Sequence, residues 1–334
     1  MGHYFSNLGR AAPFAVKGCL LFADIRQKCI AVVCRKHCSG GAEIIVQGVS
    51  HLKGIFMTEH HNARSHRNGG VLCFVGVIAG AVCLVFGMEP AYAGTVFVDK
   101  DAAGAGTGAD WTNAYTTIQA GVTAATSGDE VWVAEGTYVS GSSPVVTLKA
   151  GVAVYGGFDG TESARGDRDV SGHLTEIDGE DARGCVSSAN GATLDGFTVK
   201  RGSGVVGSGL TITTGMTLSN CTITGNNATM QGAGVYIGTA SLVTVTQCTF
   251  TSNIARYNGA GMYLTSATGT SVTDCTFSGN SITENGPYNY GGGGMSMSGC
   301  SPVISGCEFT ANSVYAGADL RGAQDVSPAV SNCT

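Results

Sequence analysis

Apolar and polar residues alternate in short runs through the second half of the chain, and the alternation changes phase inside each run. In residues 243–253, VTVTQCTFTSN, the apolar side chains first occupy the positions of Val243 and Val245 and then those of Cys248 and Phe250. Alternation with a period of two is typical of a β-strand with one buried face. The change of phase near Gln247 predicts a bend between two short strands.

Related segments recur at a nearly constant interval. They begin at residues 192, 216, 243, 270, 302 and 328, which are 24, 27, 27, 32 and 26 residues apart. A second, glycine-rich element lies between them and reads QGAGVYI, NGAGMYL, YGGGGMSM and, more loosely, YAGADL. A period in the twenties with two strand-like runs per unit indicates a repeat architecture. We therefore predict an all-β fold, a right-handed single-stranded parallel β-helix whose coils stack about 4.8 Å apart.

Stacking would place equivalent residues of successive coils above one another in three columns. The first column contains cysteines, with Phe197 at its foot: Cys221, Cys248, Cys275, Cys307 and Cys333. The second contains Ile223, Phe250, Phe277 and Phe309. The third contains Asn226, Asn253, Asn280 and Asn312 and lies at a corner of the coil. We expect these asparagines to adopt left-handed backbone angles and to bond to one another through their amides.

The cysteines allow two interpretations. Seven follow residue 93, namely Cys185, Cys221, Cys248, Cys275, Cys300, Cys307 and Cys333. A secreted chain with repeated cysteines is consistent with disulfides, but an odd number cannot pair completely within one chain. Stacked neighbours would also hold their Cβ atoms about 4.8 Å apart, beyond the usual disulfide range. We favour a column of buried free thiols, since free cysteine packs as a small hydrophobe.

An apolar segment near the N-terminus predicts secretion. Residues 71–88 are apolar, Arg64 and Arg67 precede them, and Ala91 and Ala93 follow with small-residue spacing. This order is typical of a secretory signal peptide, which we place at residues 57–93 with cleavage between Ala93 and Gly94. The alternative is a membrane anchor, because 18 apolar residues are at the lower limit for spanning a bilayer. Met57 stands where an initiator is expected, so we interpret residues 1–56 as an upstream extension outside the translated protein.

Two regions follow the predicted cleavage site. Residues 94–191 read as an N-terminal cap and the first coils, because apolar residues at helical spacing between 112 and 125 predict a short helix over the end of the β-helix. Residues 192–334 read as β-helix repeats. The last of them begins at Pro328 and is incomplete, so we interpret the repeat region as truncated at the C-terminus.

Charge narrows the choice of partners. The net charge of −6 is uneven, because residues 1–56 carry +5 and residues 94–334 carry −11. An acidic chain with few lysines argues against nucleic acid as a partner, since phosphate binding needs a basic stripe. We predict no cofactor and no catalytic residue.

One segment is densely acidic. Residues 159–183 contain eight carboxylates with three arginines among them. Asp159, Asp178 and Asp181 are the candidates for a cation site, although a solvated loop between coils is the favoured interpretation. The RGD tripeptide at 165–167 has the composition that such a loop produces by chance.

Several motifs resemble known secreted proteins. The segments WTNAYTTIQ from Trp111, GDEVWVAEGTY from Gly128, GVAVYGGFDGTE from Gly151 and ATLDGFTV from Ala192 resemble secreted bacterial right-handed β-helix proteins of the pectate-lyase-like superfamily. The GAGVY and GAGMY elements, with FTSN, FSGN and FTAN, resemble the repeats of chlamydial-type polymorphic outer membrane proteins.

The resemblance implies a non-enzymatic adhesin or envelope passenger that is secreted or displayed on the outer membrane surface. Its partners would be surface glycans or proteins of a host or a microbial community. Membrane contact would come only through the signal segment or a C-terminal anchor that this sequence does not include. The alternative function is a polysaccharide lyase or hydrolase that uses the acidic patch at 159–183.

Overall fold

The computed structural model describes residues 94–284, 291–314 and 329–334 together with the backbone of seven further strands. Six of those strands precede residue 94, and the seventh is Leu320–Gly322. The predicted signal peptide at 57–93 and the predicted extension at 1–56 therefore lie largely outside the described residues. Of the predicted cleavage pair, Gly94 is described and Ala93 is not.

The chain divides into two compact units, residues 1–89 and residues 90–334. In the first unit, antiparallel strands form a four-stranded sheet and a separate two-stranded pair. The sheet contains Ala12–Val16, Cys19–Asp24, Cys29–Cys34 and Ile44–Val46, and the pair contains Val75–Ile78 and Ala81–Leu84. None of the helices in the described part of the chain is long and apolar enough to cross a lipid bilayer.

The second unit is built from four sheets in which every neighbouring pair of strands is parallel. The first sheet contains Thr95–Val98, Glu130–Ala134, Ala153–Phe158, Ala192–Asp195, Met216–Ser219, Thr244–Thr246, Ser271–Thr273, Val303–Ser305 and Ala329–Ser331. The second contains Gly136–Tyr138, Thr175–Asp178, Phe197–Lys200, Thr222–Thr224, Thr249–Thr251, Thr276–Ser278 and Glu308–Thr310.

The third and fourth sheets complete each turn of the chain. The third contains Ser203–Val206, Asn227–Gln231, Ile254–Ala255 and Ser281–Ile282. The fourth contains Val146–Thr147, Val186–Ser187, Leu210–Ile212, Val235–Ile237, Met262–Thr265, Met295–Ser298 and Leu320–Gly322. From residue 192 to residue 298 the chain passes through the four sheets in the same order in every coil. This arrangement is a parallel β-helix, as the repeat predicted.

The predicted bend between the first and second sheets depends on one residue with a positive φ angle. Gln247 has φ of 52° between strands Thr244–Thr246 and Thr249–Thr251. The equivalent residues of the other coils have φ between 51° and 81°, and they are Gly196, Asn220, Asp274, Gly306 and Asn332. Because stacked strands hold both sides of the corner, the coil imposes this angle even on residues other than glycine.

The expectation of left-handed asparagines at the next corner is wrong. The residue before each asparagine has the positive φ angle instead, with values of 62°, 55°, 63° and 53° at Gly225, Ser252, Gly279 and Ala311. The reason is burial. Asn226, Asn253 and Asn280 are fully buried and direct their amides into the coil, so the outward-facing residue before each one absorbs the turn.

The interior is filled by the predicted columns. The Phe250 and Phe277 rings stack with centroids 4.6 Å apart and planes 5° apart, and Phe277 and Phe309 stack at 4.9 Å. Phe250 is completely buried, which confirms the register of the repeat alignment. Four cysteines of the first column are also buried, namely Cys221, Cys248, Cys275 and Cys307.

All seven cysteines after residue 93 are free thiols. Cys333, the last of the cysteine column, is partly exposed. Cys185 lies apart from the column, and burial raises the pKa of its thiol to about 12. The buried cysteines therefore act as packing groups.

The predicted N-terminal helix is present but shorter than the apolar spacing indicated. It spans Ile118–Ala124, and the Thr117 hydroxyl accepts a hydrogen bond from the Ala120 amide at 3.2 Å. Tyr115 lies outside it, because its amide donates to the Phe97 carbonyl at 2.9 Å and its carbonyl accepts from Asp99 at 2.8 Å. Ile118 and Val122 complete the core over the first coil.

Candidate functional site

The acidic segment 159–183 is two structures rather than one solvated loop. Residues 159–173 lie between strands and include a short 3₁₀ helix, Arg165–Asp167. Thr175–Asp178 is a strand of the second sheet, with Ile177 completely buried and Asp178 1% exposed. The interpretation of the whole segment as a solvated loop is therefore wrong for residues 175–178, whereas Glu180 and Asp181 are exposed in a turn. Ile177 enters the interior column beneath Val199, so the strand is held in the coil.

Asp178 is bound on nearly all sides. The Arg201 guanidinium donates to both carboxylate oxygens, at 3.0 Å and 3.1 Å from Nε and at 2.6 Å from Nη2. The Glu180 amide donates to Oδ1 at 2.8 Å. Burial acts to raise the pKa of Asp178, but the hydrogen bonds from Arg201 and Glu180 outweigh it and hold that pKa below its ordinary value.

A second carboxylate lies next to this pair on the outer face of the second sheet. Glu176 accepts hydrogen bonds from Lys200 Nζ at 2.7 Å and from Thr137 Oγ1 at 2.6 Å. Lys200 Nζ is also 3.9 Å from Asp178 Oδ2. Glu176, Asp178, Lys200 and Arg201 together form the second-sheet ion cluster, in which each acid has a basic partner.

A comparable cluster covers the outer face of the first sheet. Arg168 forms an ion pair with Asp195 and donates to the Gly156 carbonyl at 3.0 Å. The other oxygen of Asp195 accepts from Ser219 Oγ at 2.5 Å and Asn220 Nδ2 at 2.8 Å. These contacts fasten residues 159–173 to the sheet.

The arginine of the RGD tripeptide belongs to the same surface. Arg165 donates to Glu130 Oε1 at 2.5 Å and lies 4.8 Å from the centroid of the Tyr155 ring. Arg168 lies 5.2 Å from the same centroid. The Arg165 side chain is thus engaged by the protein itself.

The three candidate cation ligands do not meet. Asp159 is exposed, and its Oδ1 accepts from the Thr161 amide and hydroxyl at 2.7 Å and 2.6 Å. Asp181 is 66% exposed and approaches Arg201 at 3.9 Å, whereas Asp178 is buried against Arg201. Among the described residues, no group of three or more His, Cys, Asp or Glu side chains is arranged to hold a metal ion.

Sequence reasoning missed a histidine–carboxylate pair at the edge of the first coils. His173 Nδ1 lies 3.0 Å from Glu135 Oε2, and this hydrogen bond raises the pKa of His173 above its ordinary value. The pair adjoins a shallow open groove of about 420 Å³. The groove is lined by Lys100, Asp101, Glu135, Gly136, Gly172 and Leu174. The two residues are 38 positions apart, and no motif joins them.

Beyond the ion cluster, the outer face of the second sheet is formed by hydroxyl side chains. Three consecutive coils contribute two such residues each, and all six are partly exposed: Thr222, Thr224, Thr249, Thr251, Thr276 and Ser278. We call these six residues the hydroxyl array. Its sequence signal is the T-x-T or T-x-S triplet that follows Cys221, Cys248 and Cys275.

The comparisons with known proteins concern the fold. Residues 174–334 match the family model described as "Right handed beta helix region". No curated protein matches the chain. A crystal structure of pectate lyase Pel9A is similar at 13% identity and a TM-score of 0.43, covering 69% of this chain and 57% of that one. Parallel pairing throughout the four sheets and the family match over residues 174–334 together show a right-handed parallel β-helix.

Proposed function

We propose that this chain is a non-enzymatic β-helix protein, secreted or displayed at the cell surface as an adhesin or envelope passenger. The observation that carries the proposal is the pairing within the charged clusters. Arg201, Lys200 and Arg168 are each bound to a neighbouring carboxylate. A polysaccharide lyase needs a basic side chain that can take a proton from the substrate and carboxylates that can hold a cation. These acids and bases neutralise one another instead.

The coils beyond Arg201 offer contact area rather than reactive groups. The hydroxyl array runs along the stacking direction, and Lys200 and Glu308 border it in register. Stacked repeats characteristically use such extended surfaces for binding. A rigid, uncharged surface of this kind suits adhesion.

The proposed partners are surface glycans or proteins of a host or a microbial community. The charge of −11 on residues 94–334 supports a partner other than nucleic acid. The proposed location, outside the cell and at the outer membrane surface, is supported by the signal-like order of residues 57–93.

Adhesion and lyase activity can be measured on the same purified protein. We expect saturable binding of the labelled protein to cells or immobilised surface glycans. We also expect no ultraviolet absorbance from unsaturated uronate when pectin and related glycans are incubated with the protein, with or without Ca²⁺.

Two variants decide the alternative. Release of uronate that disappears in both Asp178→Ala and Lys200→Met, while Asp167→Ala retains it, would establish a lyase and end the non-enzymatic proposal. Asp167 is the matched control because it is an exposed carboxylate in the same acidic segment. Circular dichroism of each variant shows whether the coil is intact.

A further inference from the structure

The hydroxyl array is a regular two-dimensional lattice. Thr222, Thr249 and Thr276 are partners in successive parallel pairings, and so are Thr224, Thr251 and Ser278. The residue between the two columns is fully buried in each coil, and these residues are Ile223, Phe250 and Phe277. Because side chains alternate across a strand, both columns face outward from the same sheet.

Interior packing sets the spacing of the lattice. Phe250 and Phe277 lie directly beneath the array and stack with centroids 4.6 Å apart and planes 5° apart. The spacing between coils is therefore close to the usual strand separation of about 4.8 Å. Along a strand, residues i and i+2 lie about 6.6 Å apart.

The hydroxyl array presents only hydroxyl and methyl groups. Five of its six residues are threonine, whose β-branching restricts χ1 and keeps each hydroxyl in place. Ser278 Oγ donates to Thr251 Oγ1 at 3.3 Å, so the hydroxyls also restrain one another. Each hydroxyl can donate one hydrogen bond and accept two, which are the bonds that a water lattice makes.

The corresponding rows on the first sheet are less suitable. The Ser219 hydroxyl is buried and donates to Asp195 Oδ2. Thr244 is exposed whereas Thr246 is partly buried, so the first sheet presents its hydroxyls unevenly.

We propose that the hydroxyl array binds the surface of ice. Oxygen atoms in a tetrahedral water lattice lie about 2.75 Å from their neighbours, which places second neighbours about 4.5 Å apart. The second-neighbour distance is within a few tenths of an ångström of the coil spacing, so the hydroxyls of three successive coils match the spacing of a row of oxygen atoms in ice. The inference rests on the proposal that the coils bind rather than catalyse, and it names crystalline water as the ligand of this face.

The test uses the full chain. Ice is grown slowly in a solution of the labelled protein, and the fraction of protein incorporated into the ice is measured. Recrystallisation of fine-grained ice in the presence of the protein is followed in parallel. We expect the wild type to enter the ice and to slow recrystallisation. Thr249→Lys should reduce incorporation about tenfold, because the hydrogen bonds at the centre of the array are lost.

Two further variants separate the hydroxyl from the fold. Thr249→Val keeps the branched shape and removes the hydroxyl, so we expect it to lose part of the activity. Thr229→Lys places the same charge on an exposed position of the third sheet and should behave as the wild type. Circular dichroism and the urea midpoint show that each variant is folded.

Folded wild type that is excluded from ice would overturn the inference, and so would a Thr249→Lys variant that enters ice as readily as the wild type. Binding to cells or to crystalline cellulose without incorporation into ice would overturn this inference and leave the proposed function standing. Release of unsaturated uronate in the same preparation would end both.

Discussion

Asn253 Nδ2 donates a hydrogen bond of 2.9 Å to Asn280 Oδ1 in the next coil, and both side chains are completely buried. Asn253 Nδ2 also donates to the Ile223 carbonyl at 2.9 Å, while its Oδ1 accepts from the amide and the side chain of Asn226. Each asparagine thus satisfies polar groups in the coils on both sides. The ladder holds successive coils in register in an interior where an unbonded polar group would be costly.

Breaking the ladder should destabilise the fold strongly. In Asn253→Ala the Ile223 carbonyl and the Asn226 amide groups lose their partner, and we expect a loss of about 3 kcal/mol in the free energy of unfolding. Urea unfolding followed by circular dichroism measures it. Asn227→Ala is the control, since Asn227 is exposed. Equal stability of the two variants would show that the ladder contributes no net stability.

The phenylalanine stack should be equally sensitive to truncation. Phe250→Ala removes a completely buried ring that lies 4.6 Å from Phe277, and a loss of about 3–5 kcal/mol is expected. Phe250→Leu retains most of the volume and should cost less than about 1.5 kcal/mol. Thermal or urea unfolding distinguishes the two. A small loss in Phe250→Ala would mean that the neighbouring coils can close the cavity.

A glycine in the repeated GAG element should tolerate no side chain. A Cβ atom on Gly234 would lie 2.4 Å from the Gly261 carbonyl oxygen of the next coil. That contact is with backbone, so Gly234→Ala must push the coils apart, and we expect a loss of about 2 kcal/mol. Gly141→Ala, where the added Cβ has open space, is the control. Unfolding midpoints within experimental error of each other would contradict the close approach.

Acid should weaken the second-sheet ion cluster. The pKa of Asp178 is lowered in the folded protein from an ordinary value of 3.8, so its ionised form contributes stability above about pH 4. That contribution is lost as the pH falls below this value toward the folded pKa. Between about pH 5 and about pH 3, the free energy of unfolding should therefore fall less in Asp178→Asn than in the wild type. Asp167→Asn, an exposed control, should follow the wild type.

The contribution of the His173–Glu135 pair to stability should be lost as the pH rises, in contrast to that of Asp178. The hydrogen bond to Glu135 raises the pKa of His173 above its ordinary value of 6.5. The protonated pair contributes stability below that pH, and the contribution is lost as the pH rises through the folded pKa. In Glu135→Gln the His173 ring should titrate at lower pH by NMR, whereas Glu308→Gln should leave it unchanged. An unaltered titration in Glu135→Gln would mean that the contact does not persist in solution.

Much of the coil could be predicted from local alternation. The phase change at Gln247 corresponds to a bend with a positive φ angle, and Phe250 is buried as its place in the repeat indicated. The positions of the periodic residues could be predicted because each coil packs in the same environment as the coil beneath it. The backbone angles of the corner asparagines could not be predicted from the repeat. Their side chains form hydrogen bonds inside the coil, and Gly225 and Ser252 adopt the left-handed angle instead.

The positions of residues outside the repeat do not follow from the local sequence pattern. Tyr115 has helical spacing with Ile118, yet it hydrogen-bonds to Phe97 in the first strand instead. Asp178 lies in an acidic segment and is nevertheless buried, because Arg201 of the next coil and the Glu180 amide bind its carboxylate. In both cases a distant contact outweighs the local pattern.

The sequence by itself determined the repeat, the parallel coil and the interior columns, because these follow from short-range alternation and a regular period. Only the tertiary structure decided which charges meet. Arg201 is 23 residues from Asp178, and Arg168 is 27 residues from Asp195. Whether such residues face each other depends on how many residues each coil and loop consumes, and intervals that vary from 24 to 32 residues leave that undetermined until the coils are stacked.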